Sequence, residues 1–161
     1  MFRVLRPILN KGGAGRYATR EESVVRLNPL VRRHHELLQG YEVALANLKD
    51  ADVAPKIVAL MPRARTESGK LSETVFSMGG TPPNGTDLEP AHVDNSSTDA
   101  ELLHNVLNLE RDYSEAVNDE IDAIHHHERT RAILKAVKVG SESRQETVRS
   151  ITNRMPRPAR D

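Results

Sequence analysis

The chain has 161 residues and 17.9 kDa, with 23 Lys plus Arg against 23 Asp plus Glu, so its formal net charge is zero. That balance argues against an overall basic nucleic-acid binder or a polycationic membrane binder. Hydrophobic residues make up 37% and aromatics 3%, with no Trp, so a core must be built from Leu, Val, Ile, Ala and Met, which suits helix-on-helix packing. Without Cys, disulfides, thiolate zinc sites, iron–sulfur ligation and cysteine nucleophiles are excluded. No run approaches the roughly 20 apolar residues that a membrane-crossing helix needs.

Residues 1–26 read as a basic, glycine-containing arm. Arg3, Arg6, Lys11, Arg16 and Arg20 all precede the first acid, Glu21, and Gly12, Gly13 and Gly15 interrupt any helix. This acid-free, Arg-rich composition is that of an organelle transit peptide, which sets a mitochondrial or other organellar matrix beside the default cytoplasmic location. With only Phe2 and Tyr17 as aromatics, the arm offers no stacking surface for nucleic acid.

The first helix is expected from Asn28 to about Lys49, with Asn28 as N-cap and Pro29 in the first helical position. Leu27, Leu30, Val31, His34, Leu37, Leu38, Tyr41, Ala44, Leu45 and Leu48 fall on one stripe at about 100° per residue. A second helix is expected from about Asp52 to Met78, with a solvent-side kink at Pro62 and a stop at Gly79-Gly80. Its stripe holds Ile57, Met61, Ala64, Ser68, Leu71, Val75 and Met78, with Glu67 at the edge. Residues 79–98 read as a long polar crossover, of a length that a compact domain uses to travel along a bundle. Thr98 and Glu101 form a capping box that opens the third helix, whose stripe is Leu102, Leu103, Val106, Glu110, Tyr113, Val117, Ile121 and Ile124. The later stripe (Ile133, Val137, Val148, Ile151 and Met155) would face nearly the opposite way on a continuous helix, so a reversal is expected near His125-His126-His127. Gly140 is a weak spot within the fourth helix. The domain therefore spans residues 27–155 as an all-α bundle of two antiparallel hairpins joined by a long crossover, and residues 156–161 form a short basic tail.

Three segments carry a family resemblance: "LNPLVRRHHELLQGYEVAL" from Leu27 to Leu45, "MGGTPP" at the end of the second helix, and "ELLHNVLNLERDYSEAV" from Glu101 to Val117. They resemble the ferritin-like bacterial four-helix-bundle domain of unknown function, with Leu27, Asn28, Glu36, Gly40, Tyr41 and Glu110 at the matching positions. The resemblance implies a ferritin-like bundle, a fold in which di-iron proteins place one Glu on each of two helices and Glu-x-x-His on the other two.

Set against the helical faces, that ligand set is degenerate. Glu110 points inward with Tyr113 one turn away, but Glu36 lies opposite the apolar stripe of its own helix. Glu67 is followed three residues later by Lys70, and the outward-facing Glu142 by Gln145, so both Glu-x-x-His motifs are missing. The inward polar residues are His34, Tyr41, Glu110, Tyr113 and Arg144. With the long crossover, Glu110 and Arg144 come at similar height: either they pair, which avoids an unpartnered inward charge costing several kcal/mol, or Arg144 snorkels to the rim and Glu110 meets water. No catalytic residue, cofactor or resident metal is expected. The expected function is non-catalytic: protein association as a structural or accessory subunit or homo-oligomer, with the Met1–Glu22 arm and the C-terminal tail as contact segments. The alternative is iron handling at a non-standard site of Glu110, Tyr113 and His34, weighed against the cation of Arg144 at the same point.

Overall fold

The computed structural model describes residues 19–89, 97–124 and 127–155. Five α-helices occur among them: α1 (Arg20–Asn47), α2 (Ala54–Val58), α3 (Met61–Ser77), α4 (Asp99–Ala123) and α5 (Glu128–Thr152). The four long ones form the bundle, and no described helix is long and apolar enough to cross a membrane. The His125-His126 pair, most of the N-terminal arm and the tail at 156–161 lie outside the described residues.

Helix α1 starts eight residues before the expected Asn28, so residues 20–26 belong to the bundle rather than to the arm. Its cap is Thr19: the Thr19 hydroxyl accepts from the Glu22 N–H at 3.1 Å, and the Glu22 carboxylate accepts from the Thr19 N–H at 2.9 Å. Pro29 sits inside the helix, where its missing N–H frees the carbonyl of Val25, a residue 73% exposed on the solvent side. Water can satisfy that carbonyl, so this proline costs the helix little.

Pro62 does more than kink its helix. The expected second helix is broken into α2 and α3, with Ala59 and Leu60 between them. A proline ring clashes with the carbonyl four residues back, which ends α2 at Val58 and leaves Pro62 in the first turn of α3, where its lack of a donor is harmless. At the other end, Gly79 adopts φ +84°, and the N–H groups of Gly79 and Gly80 cap the carbonyls of Phe76 and Val75 at 2.9 and 3.1 Å.

The reversal expected near His127 falls where α4 gives way to α5, and it brings both apolar stripes to one core. Arg26 meets Glu120 and Tyr41 meets Glu110, so α1 and α4 are antiparallel. Glu110 meets Ser141 and Asn118 meets Lys138, so α4 and α5 are antiparallel as well. Helix α3 also runs against α1, with Gly80 beside Val24 and Ala64 beside His34. Helices α3 and α4 are thus parallel, and the chain between them has to travel the length of the bundle.

That crossover is tied along α1. The Asn28 amide donates to the Thr81 carbonyl, His35 bonds the Pro83 carbonyl, Arg32 pairs with Asp87, and the Gln39 amide donates to the Glu89 carbonyl. At its far end the Asp99 carboxylate accepts the N–H groups of Lys49 and Asp50, so the first turn of α4 also finishes the turn after α1.

Candidate functional site

At mid-height the core is polar. Arg144 on α5 is 2% exposed, yet its guanidinium lies between carboxylates from two other helices: Nε donates to Glu110 Oε1 on α4 at 2.5 Å, Nη2 reaches Glu110 Oε2 at 3.4 Å, and Nη1 donates to Glu67 Oε2 on α3 at 2.6 Å. The Tyr41 hydroxyl on α1 donates to Glu110 Oε1 at 2.8 Å, and the Ser141 hydroxyl donates to Oε2. Both oxygens of Glu110 therefore accept two hydrogen bonds each, which satisfies a fully buried carboxylate. Glu67 Oε1 accepts from Arg63 at 3.1 Å at the rim of the bundle. Two carboxylates and two guanidiniums make the cluster neutral.

Next to it, His34 and Tyr113 form a second pair. A carbonyl can only accept, so His34 Nε2 carries the proton donated to the Ala64 carbonyl at 2.9 Å. Nδ1 then accepts the Tyr113 hydroxyl at 2.7 Å, with the two rings edge-to-face. Burial, reinforced by the positive charge of Arg144, lowers the His34 pKa to about 3, so the ring is neutral near pH 7. Burial and the neighbouring Glu110 raise the Tyr41 pKa, and burial raises that of Tyr113, so both phenols keep their protons. Burial alone would lower the Arg144 pKa, but Glu110 and Glu67 outweigh it and the pKa is raised.

The structure gathers His34, Tyr41, Glu110, Tyr113 and Arg144 in this layer and adds two residues that the helical faces did not select, Glu67 and Ser141. Glu67 is 5% exposed although it sits at the edge of its stripe. Its signal in the sequence is indirect: Arg63 four residues earlier, and Gly140 on the opposing helix. Gly140 is no mere weak spot, because a Cβ there would overlap the Glu67 carboxylate. Glu36 and Glu142 face outward, paired with Arg32 and Lys138.

This donor set does not fit a di-iron centre. A metal needs free carboxylate lone pairs, and those of Glu110 are taken by Arg144, Tyr41 and Ser141. Both nitrogens of His34 are engaged elsewhere, and a cation occupies the point where the carboxylates converge. Among the described residues no three His, Asp or Glu side chains are grouped to hold a metal ion.

No family model matches the chain, and no curated protein sequence matches it. Solved structures do resemble it. An archaeal Dps homologue from Halobacterium salinarum is similar at 16% identity and TM-score 0.72, over 92% of this chain and 94% of that one. A mutant of Dps1 from Mycobacterium smegmatis is similar at 15% identity and TM-score 0.71, over 83% and 96%. Ferritin-like, diiron-carboxylate proteins from Bacillus anthracis are similar at 15% identity and TM-score 0.71, over 83% and 97%. With these likenesses beside the parallel α3 and α4 and the crossover along α1, the fold is that of a ferritin-like four-helix bundle.

Proposed function

We propose that this chain is a non-catalytic ferritin-like bundle that acts through protein association, as a structural or accessory subunit or as a homo-oligomer. The observation that carries this reading is the Arg144 guanidinium held between Glu67 and Glu110. With Arg63 at the rim it balances the charge of the two buried carboxylates, so the layer serves as internal bracing and no open coordination position is left for a substrate ion. The outer faces offer material for contacts: Val25 on α1, Phe76 on α3 and Val139 on α5 are each more than half exposed. In this reading the chain needs no cofactor, resides in the cytoplasm or an organellar matrix, and uses residues 1–22 and its C-terminal tail as further contact segments.

The competing reading is iron handling through Glu110, Tyr113 and His34, and one pair of measurements separates the two. Sedimentation over a range of concentrations should give species heavier than the 17.9 kDa chain. Anaerobic incubation with ferrous iron, followed by elemental analysis, should leave no stoichiometric metal. About two irons per chain, lost in Glu110→Ala, would replace association with the di-iron function. A strict monomer would remove the homo-oligomer.

A further inference from the structure

The crossover carries the one Asn-Gly pair of the sequence, Asn84-Gly85, with Asn84 exposed. Asparagine is chemically labile, because the backbone nitrogen of the next residue can attack its amide carbon. That attack needs an uncrowded and available N–H. Gly85 has no side chain, and its N–H donates to no group among the described residues. The other described asparagines lack this opening. Asn47, Asn105, Asn108 and Asn118 lie in helices, where a carbonyl one turn back holds the following N–H. Asn28 precedes a proline, which has no N–H, and the N–H after Asn153 donates to the Ile151 carbonyl.

The turn also activates the amide. Asn84 Oδ1 accepts the Thr86 N–H at 3.1 Å and the Thr86 hydroxyl at 2.8 Å, an Asx turn that folds the side chain back along its own backbone. Both donors sit where negative charge develops on Oδ1 as the amide carbon is attacked, as in an oxyanion hole. The glycine is required by what lies beneath it. Gly85 has φ +77°, and a Cβ there would come within 3.0 Å of the His35 ring, so any side chain is strained on both counts.

We propose that Asn84, activated by Thr86, is a self-modifying site, and that its conversion to isoaspartate unfastens the crossover from α1. Water takes the proton from the Gly85 nitrogen, and that nitrogen forms a bond to Asn84 Cγ. The Cγ–Nδ2 bond then breaks, ammonia leaves with the proton, and a cyclic succinimide remains. A water molecule opens the ring at either carbonyl, giving aspartate or isoaspartate, and nothing is oxidised or reduced. Isoaspartate routes the main chain through Cβ and Cγ, which adds a carbon to the backbone. That lengthens the segment between Pro83, whose carbonyl His35 holds at 3.1 Å, and Asp87, which pairs with Arg32. It also moves Gly85 off the His35 ring and leaves a new carboxylate on the crossover. The change is slow and one-way, and it does not depend on how the chain associates.

The test is to age the full native chain in mildly alkaline buffer and follow ammonia release and peptide masses, with an isoaspartate-specific methyltransferase to count the isomer. Asn84 should convert before any other asparagine, and at least as fast as in a free peptide of residues 81–89. Thr86→Val keeps the backbone donor but loses the hydroxyl, and should slow conversion about three- to tenfold. The aged chain should melt about 2–4 °C lower, whereas Asn84→Ser aged in parallel should keep its melting temperature. Asn84→Asp adds the charge without the extra carbon and should melt within about 1 °C of the native chain. Conversion that starts at another asparagine, runs slower in the folded chain than in the peptide, or ignores Thr86→Val overturns the activated site. An aged chain that keeps the native melting temperature, or an equal loss in Asn84→Asp, overturns the unfastening by isoaspartate.

Discussion

Towards either end of the bundle the helices meet through aliphatic side chains: Leu27, Val31, Val75, Val117 and Leu134 at one end, Ala44, Ile57, Leu103, Val106 and Val148 at the other. Between them lies the layer of His34, Tyr41, Glu67, Glu110, Tyr113, Ser141 and Arg144, equally buried and almost wholly polar. The ends are held by burial of area, which has no direction and tolerates substitutions that conserve volume. In the middle each donor has one acceptor in one place, so a single lost partner leaves an unpaired group in a dry core. The two regions resist solvent alike and should respond to mutation very differently.

The largest contrast is expected from Glu110→Ala set against Leu103→Met. Removing Glu110 leaves Arg144 with Glu67 alone and strips the acceptor from Tyr41 and Ser141, so unfolding in denaturant should show a loss of about 3–5 kcal/mol. Leu103→Met keeps the volume and should lose less than about 1.5 kcal/mol. Similar losses for the two would break the comparison.

Acid should find the same layer. His34 is neutral when folded, with a pKa near 3 against 6.5 in the unfolded chain, so below about pH 6.5 the unfolded state binds a proton that the folded state refuses. This contribution to stability is complete above about pH 6.5 and falls towards pH 3, at up to about 1.4 kcal/mol per pH unit. Denaturation across that range should be shallower in His34→Gln. An unchanged slope would move the acid sensitivity to other groups.

The smallest of these effects tests the fit at α3 and α5. In an exposed helix interior, Gly→Ala gains about 1 kcal/mol. Gly140→Ala should instead lose about 1–3 kcal/mol, because the new methyl displaces the Glu67 carboxylate. A more stable variant would show that Glu67 moves aside freely.

Much of the polar layer is legible in the sequence. Helical periodicity places Glu110, Tyr113, His34, Tyr41 and Arg144 on inward faces, because a helix with one apolar stripe has little choice about what it buries. The capping box at Thr98-Glu101 opens α4 as expected. Elsewhere two local signals compete, and the more conspicuous one does not prevail. Asn28-Pro29 reads as a helix start, yet the Thr19-Glu22 box starts α1 earlier, since a solvent-side proline can be carried inside a helix. Pro62 reads as a kink, yet it separates α2 from α3.

Periodicity and caps thus determined the four-helix architecture, its reversal and its long crossover, since each depends on neighbours within a few turns of the chain. The tertiary structure alone decided which charges meet. Glu67 and Arg144 are 77 residues apart, and neither helix shows by itself that an edge position on one will be covered by the other. Whether a carboxylate at a stripe's edge ends in water or in the core depends on what packs over it. Here that is Gly140, whose missing side chain lets α5 close over Glu67 and set Arg144 between the two acids.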